Sequence, residues 1–333
     1  MQKTDFINSL TENKKFLIDY ANLINNLFLY QNNFLNKKNC IFFLRKPYYG
    51  IPIIFPTNLK YFLYKKKDNY TISKKLISKF IFNTKNKNYG PLHRYNDCGN
   101  KYSDFVSPKD EYVKLVEKIN IFNQNSKLKI EKLKKKFKRI CAFQTRNIPH
   151  FGHERIIQYL LKKYDHVVVN PVIGPKKKGD IKYDILEKVF NFLIKKKYYN
   201  KVSYIPVIAN MFYAGPREAL HHANIRSVLG FNYFVVGRDH AGAENLYKSN
   251  AAFEMIKKNQ KFLSIKIEKL LGAYYCKECK KVVIKDKDCN HNLLLNISGS
   301  EFRKCLEKKT YFKYADKKVQ NFIFKLKNKL FVS

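Results

Sequence analysis

The chain has 333 residues, 45% of them hydrophobic, which is enough for two ordinary domains or one large one and excludes a disordered tail. Its formal net charge is +40, but only nine of its 66 basic residues are Arg, and Lys, Asn, Ile, Phe and Tyr crowd every segment as an AT-biased coding sequence would produce. Runs such as Lys134-Lys135-Lys136, Lys176-Lys177-Lys178 and Lys195-Lys196-Lys197 are therefore expected to be solvated surface, and specific nucleic-acid binding is not expected. No stretch approaches the ~18 consecutive apolar residues of a membrane span, and the opening MQKTDFINSLTENKK lacks the apolar run of a signal peptide. The expectation is a cytoplasmic protein with no membrane partner. Seven Cys scattered over such a chain argue against a disulfide framework.

Residues 1 to about 135 show short apolar runs broken by Asn and Lys, with turn signals at Pro47, Gly50, Pro52, Pro56 and Tyr89-Gly90-Pro91. They read as a mixed, mostly β accessory domain, joined onward by a charged helical linker over residues 127–138. From Arg139 the rhythm changes. Apolar β-type runs at 139–143, 166–170, 202–208, 233–237 and 262–267 alternate with helix-length segments near 152–163, 183–197, 216–229 and 244–258. That alternation predicts an α/β domain, a Rossmann-like parallel sheet with helices on both faces and a ligand site at the carboxyl ends of its strands. Six of the nine Arg and nine of the twelve Gly lie between positions 146 and 303, where a biased composition keeps them only if chemistry or backbone geometry requires them.

The first strand runs into Gln144-Thr145-Arg146-Asn147-Ile148-Pro149-His150-Phe151-Gly152-His153. A polar strand-to-helix loop offers free N–H groups and a helix dipole to an anion. His150 and His153, three apart, share a helix face and can both donate to phosphate oxygens. This stretch resembles the H-x-G-H nucleotidylyltransferases and, more closely, the ATP sulfurylases, whose signature is Q-T-R-N followed by two His. Ile148-Pro149 stands where many members have Pro and then a variable residue.

Next comes Ala214-Gly215-Pro216-Arg217-Glu218-Ala219-Leu220-His221-His222, a helix start with Pro near its first position and an acid in its first turn. Gly-Pro-Arg-Glu-Ala also looks like that family. Arg217 either fixes the active-site loops, touches phosphate or pairs locally with Glu218, and at most one of His221 and His222 can face a given pocket. The predicted strand 233–237 then closes with Gly237-Arg238-Asp239-His240-Ala241-Gly242, which matches the family's G-R-D-H-A-G loop residue for residue.

Cys276-x2-Cys279-x9-Cys289-x-His291 forms a Cys3His set whose first half matches a zinc knuckle. Four closed ligands suit a structural Zn2+ that staples an insert over residues 274–292; the alternative is a set of reduced, unliganded thiols. Some ATP sulfurylases carry a similar cluster, although the short Cys289-Asn290-His291 spacing departs from it. Ile297-Ser298-Gly299-Ser300-Glu301-Phe302-Arg303, close to the family's I-S-G-T-x-x-R, is either a phosphate-binding helix start or a plain Ser-capped one.

The resemblance implies a sulfate adenylyltransferase in which sulfate attacks the α-phosphorus of ATP in line, giving adenylyl sulfate and pyrophosphate reversibly. It assigns sulfate to Gln144, Arg146 and the backbone N–H of Ala241. ATP falls to Gln144, Thr145, Arg146, Asn147, Gly237, Arg238, Asp239 and His240, with Mg2+ on its phosphates. Catalysis falls to Thr145, Arg146, Asn147, His150 and His153. It further implies a reduced PUA-like domain over residues 1–135, a catalytic domain over 136–333 and a homo-oligomer. No G-x-x-x-x-G-K-[ST] loop occurs, so adenylyl-sulfate kinase activity is not expected. The rival readings are a nucleotidylyltransferase with another acceptor and a basic RNA-binding relic of the fold.

Overall fold

The computed structural model describes residues 6–7, 9–56, 60–82, 98–175, 179–238, 240–242, 247–248, 250–326 and 329–332. Sequence expectations that lie outside those residues are the turn at Tyr89-Gly90-Pro91, the run Lys176-Lys177-Lys178, Asp239, and residues 244–246 and 249 of the helix expected near 244–258.

The amino-terminal part is built from α1 (Lys15–Ile24), α2 (Lys37–Arg45), β1 (Phe62–Thr71), α3 (Lys74–Phe80), β2 (Cys98–Pro108) and α4 (Asp110–Lys134). Helix therefore outweighs strand among its described residues, where a mostly β segment was expected. The apolar positions Leu17, Ile18 and Ala21 do follow helical spacing and are fully buried, but the Asn and Lys between them read locally as breaks. Two helix starts are set by local side chains, Asn36 accepting the Asn39 N–H and Ser73 that of Leu76. The predicted helical linker over residues 127–138 falls on the last third of α4, a 25-residue helix docked along its length, and on the four non-helical residues after it. Its Asn123 donates to Asn22 Oδ1 and to the Ile208 carbonyl and accepts the Ile208 N–H, while Ser126 donates to the Pro206 carbonyl.

The second part runs β3 (Ile140–Phe143), α5 (Phe151–Lys163), β4 (His166–Val169), β5 (Val172–Ile173), α6 (Tyr183–Lys197), β6 (Val202–Tyr204), β7 (Val207–Ile208), α7 (Gly215–Leu229), β8 (Tyr233–Gly237), α8 (Ala251–Asn259) and β9 (Lys266–Leu270). The main sheet is parallel in the order β6-β4-β3-β8-β9, and β5 and β7 form a short parallel pair of their own. The expected run 202–208 is thus two strands broken at Ile205-Pro206, and the last strand begins four residues later than expected because Gln260–Phe262 is a 3-10 turn.

Strands covered on both faces read as unbroken apolar runs, and their side chains divide by alternation. Ile140, Ala142, Val168, Phe234 and Val236 enter one core together with Leu17, Phe55, Ile119 and Ile225. Cys141, Phe143, Val167, Val169 and Val235 enter the other, covered by α5 and α6. The described residues between 6 and 130 therefore share a core with one face of the sheet.

Past β9 the chain forms a small antiparallel sheet, β10 (Ala273–Cys276), β11 (Lys281–Ile284) and β12 (Leu294–Asn296), and ends with α9 (Gly299–Glu307) and α10 (Lys317–Phe324). No helix among the described residues is long and apolar enough to cross a membrane.

Candidate active site

From β3 the chain winds outward through β4 to β6, then returns to the other side of β3 with β8 and β9, so the loops leaving β3 and β8 diverge. In open α/β sheets that switch point opens a crevice at the carboxyl ends of the strands. Here it holds a cavity of about 390 Å3. One wall is Gln144 to Asn147 after β3; the opposite wall is Gly237, Arg238 and His240 to Gly242 after β8. Met211 and Tyr213 form a third side, and Leu271 to Tyr274, the link after β9 and the start of β10, a fourth. Two guanidinium groups line the cavity, and no carboxylate does so among the described residues.

His150 is the N-cap of α5: its Nδ1 accepts the Gly152 N–H at 3.1 Å while its own N–H donates to His153 Nδ1 at 3.3 Å. A side chain on Gly152 would meet the His150 ring at 2.9 Å, so glycine is required for this cap to close. Burial holds the His150 imidazole down at about 4 and that of His153 well below the ordinary histidine range, so both rings are neutral near pH 7. Neutrality fixes the protons. With its Nδ1 accepting, His153 carries hydrogen on Nε2, which lies 3.0 Å from Thr145 Oγ1. Thr145 Oγ1 also accepts the Asn147 N–H at 3.2 Å, so its own hydroxyl hydrogen is left for a ligand in the cavity. Of the two histidines, His153 lines the cavity and His150 stands behind it.

Arg146 is exposed and has neither hydrogen bond nor counter-ion among the described residues; its guanidinium lies 5.8 Å from the Tyr213 ring centre. Among the described residues the buried Oε1 of Gln144 has no partner and its Nε2 meets only Met211 Sδ, at 4.0 Å. Asn147 is clamped from the far end of the chain. Arg303 Nη1 donates to its Oδ1 at 2.9 Å, and Gly299 packs so closely that a Cβ there would lie 3.1 Å from its amide. The helix start at Ser298 is thus capped by its own hydroxyl and also tied to the first motif.

Arg217 is fully buried and outside the cavity. It donates to the carbonyls of Gly50 at 2.7 Å and Leu44 at 2.8 Å, and also to those of Phe43, Lys46 and Phe80. It therefore caps the carboxyl end of α2 and pins the amino-terminal helices to α7. Glu218 does not pair with it: its two oxygens accept the N–H groups of Phe212 and Ala214. His222 Nδ1 lies 2.9 Å from Nε2 of His240, which lines the cavity, while His221 faces Gly50 and Ile51. Ala241 has a left-handed φ of 51°, its carbonyl held by the Gly215 N–H at 3.1 Å.

The ligand atoms of Cys276, Cys279, Cys289 and His291 all lie within 4.8 Å of one another. Burial opposes ionisation of Cys276, but the Cys279 N–H and His291 draw its thiol down to about 7, toward the thiolate that binds a metal. This donor set fits a closed tetrahedral site. Next to Cys289, Asp288 receives a bidentate salt bridge from Arg155 of α5, its Nε donor at 2.8 Å. The same small sheet carries Tyr274, whose hydroxyl accepts from Arg238 at 2.8 Å and donates to the Leu271 carbonyl at 3.1 Å.

Sequence reasoning missed Met211, Tyr213, Tyr274 and Glu218 as parts of the site. A Tyr one residue before a helix-starting Ala-Gly-Pro was the available signal for Tyr213; none in the sequence indicated Tyr274.

As a chemical device the cavity collects cations, amide donors and a hydroxyl around a space that no carboxylate among the described residues lines, an arrangement suited to stabilising anionic oxygens. Residues 120–312, more than half of the chain, match the ATP-sulfurylase family. Among curated proteins, the sulfate adenylyltransferase of Ignicoccus hospitalis is 39% identical over 194 residues, covering 57% of this chain and 50% of that protein. That of Staphylothermus marinus is 40% identical over 179 residues, 52% of this chain and 46% of the relative. That of Pyrococcus abyssi is 34% identical over 252 residues, 71% of this chain and 62% of the relative. The chain thus spans about half the length of the first two relatives and somewhat more of the third. With both cavity loops inside the matched segment, the chain belongs to the ATP-sulfurylase family.

Proposed function

We propose that the protein is a sulfate adenylyltransferase that joins sulfate to the α-phosphate of ATP and releases pyrophosphate. The observation that carries this is Arg146, which has no counter-ion among the described residues, beside the Gln144 amide, whose Oε1 has no partner among them, in a cleft at the switch point of a nucleotide-binding sheet. Sulfate takes the Arg146 fork, the Gln144 amide N–H and the backbone N–H of Ala241. One of its oxygens attacks the α-phosphorus in line, the bond to the bridging oxygen breaks, and its electron pair leaves with pyrophosphate. The Thr145 hydroxyl, oriented by His153, donates to the phosphate oxygens, and His150 acts from behind by donating its backbone N–H to His153 Nδ1. Asn147, Gly237, Arg238, Asp239 and His240 hold the nucleotide. No carboxylate lines the cavity among the described residues, so Mg2+ would be held by the ATP phosphates themselves and would shield their charge.

Cys276, Cys279, Cys289 and His291 would hold a structural zinc ion that staples the insert at residues 274–292. Residues 136–333 form the catalytic unit. Residues 1–135 fill the slot of the family's PUA-like domain; the β1–β2 ribbon is their support for that fold. Cytoplasmic location and a homo-oligomer are further parts of this reading, resting on family membership.

The test is pyrophosphate release from MgATP and sulfate, pulled forward by a pyrophosphatase, for the wild type, Arg146→Ala and Thr145→Val. Sulfate-dependent release that Arg146→Ala abolishes is the expected result. Release that ignores sulfate, from folded protein, would overturn the proposal and leave another adenylyl acceptor.

A further inference from the structure

We infer that Glu218 is a positioning residue that sets both halves of the cleft at once, the wall that meets the acceptor anion and the loop that meets the nucleotide. The inference rests on the sulfurylase reading of the cavity. Glu218 is wholly buried and lines no part of that cavity. Oε1 accepts the Phe212 N–H at 2.8 Å and Oε2 the Ala214 N–H at 2.9 Å. Between those bonds lies Tyr213, a residue with a Cβ held at a φ of 55°. A left-handed backbone of this kind costs free energy and persists only where its surroundings over-determine it. The surroundings here are the Glu218 carboxylate on either side and the Tyr247 hydroxyl, which donates to the Tyr213 carbonyl at 3.0 Å. This posture sets the Tyr213 ring against Arg146 and Met211 against Gln144, the two side chains assigned to sulfate.

The second arm leaves from the same carboxylate. His222 Nε2 lies 3.2 Å from Glu218 Oε1, an electrostatic contact that lacks hydrogen-bond alignment, and its Nδ1 is 2.9 Å from His240 Nε2. The negative charge at Nε2 favours the proton there, so Nδ1 accepts from His240 Nε2–H and one tautomer of the cleft histidine is selected. Edge-on packing of His240 against Phe234 fixes the ring plane. The two loop N–H groups stabilise the buried carboxylate, and Arg226, fully buried on the same helix, adds a favourable charge interaction without an ion pair. Glutamate is needed because both loop N–H groups require acceptors and the histidine requires a charge. A glutamine offers one acceptor oxygen and turns an N–H toward a donor.

The experiment measures sulfate and ATP KM values for the wild type, Glu218→Gln, Tyr213→Ala and His222→Gln, with folding checked by circular dichroism. Tyr213→Ala is expected to raise the sulfate KM and His222→Gln the ATP KM, each leaving the other constant within about twofold. Glu218→Gln is expected to raise both, each by roughly tenfold, as loss of a charged hydrogen bond implies. A folded Glu218→Gln that moves one KM or neither overturns the inference. Should Glu218→Gln fail to fold, the pair Tyr213→Ala and His222→Gln decides. Coupling through one carboxylate makes their combined effect on kcat/KM depart from the product of the single effects by about fivefold. A combined effect equal to that product overturns it. A wild type without sulfate-dependent turnover sinks the sulfurylase reading instead, which keeps the two failures apart.

Discussion

Thr145 Oγ1 lies 3.0 Å from His153 Nε2, and the direction of that bond is set from the other side of the imidazole, where Nδ1 accepts the His150 N–H. The histidine therefore donates, and the threonine hydroxyl has its own hydrogen to give. Removing that hydroxyl with Thr145→Val should lower kcat by about 10²-fold, the scale of losing one donor to a developing oxyanion. Thr145→Ser should recover most of it. Equal kcat values for the valine and serine variants would mean that the hydroxyl donates nothing.

Arg146 is poised for an anion because nothing among the described residues neutralises it. Arg146→Lys keeps the charge and loses the planar fork, so it should keep only part of the activity. Steady-state kinetics should give kcat/KM for sulfate falling in the order wild type, Arg146→Lys, Arg146→Ala, with the alanine variant down by about 10²-fold or more. A lysine variant equal to wild type would assign Arg146 a charge without geometric work.

The parts of the fold that were legible in the sequence are those whose burial is encoded locally. β8 at Tyr233–Gly237 and α6 at Tyr183–Lys197 have the expected bounds, the one apolar on both faces and the other carrying a helical stripe that ends in lysines. β9 was misplaced because Phe262 and Leu263 look like strand residues while belonging to a 3-10 turn and its exit. The cleft residues of the first and third motifs were legible because loops at strand ends concentrate polar side chains. Arg217 and Glu218 were not. The same pair of residues could form a local ion pair, and only tertiary structure brings the carbonyls of Phe43, Leu44 and Gly50 to one and the N–H groups of Phe212 and Ala214 to the other.

The Cys3His cluster reaches the cleft through Tyr274, which holds Arg238, and reaches α5 through the Arg155–Asp288 bridge. Purified protein should therefore contain one zinc per chain. Cys279→Ser should lower both zinc content and thermal midpoint, since a structural site contributes its binding free energy to folding. Elemental analysis beside a thermal melt checks this; full stability in a zinc-free Cys279→Ser protein would reduce the cluster to four reduced side chains.

Arg217 gives hydrogen bonds to five carbonyls from a site with no exposure. Arg217→Ala leaves those acceptors buried without donors and opens a cavity. The expected loss is about 3–5 kcal/mol in urea unfolding, the scale of removing one partner from a buried charged network. Because the carbonyls belong to residues 43–80 and the arginine to α7, proteolysis should open the amino-terminal part first. A variant as stable as wild type would show that the cage adds nothing to the joint.

Burial depresses the folded-state values of His150 to about 4 and His221 to about 3, whereas in the unfolded chain each returns to its ordinary value of 6.5. Between these limits the unfolded state binds protons that the folded state refuses. The stability these neutral rings contribute is thus fully present above pH 6.5 and is lost as the pH falls below it, at up to about 1.4 kcal/mol per pH unit for each ring. For His150 alone the loss between pH 6.5 and its folded value of about 4 comes to about 3 kcal/mol. His221→Asn keeps an acceptor for the Ile51 N–H, which His221 Nδ1 receives at 3.4 Å, and removes one titrating site. Urea unfolding from pH 7 to pH 4 should therefore give a shallower decline for His221→Asn than for the wild type. Parallel declines would mean that His221 binds its proton as readily folded as unfolded, and the acid sensitivity would then lie in the histidines of the cleft.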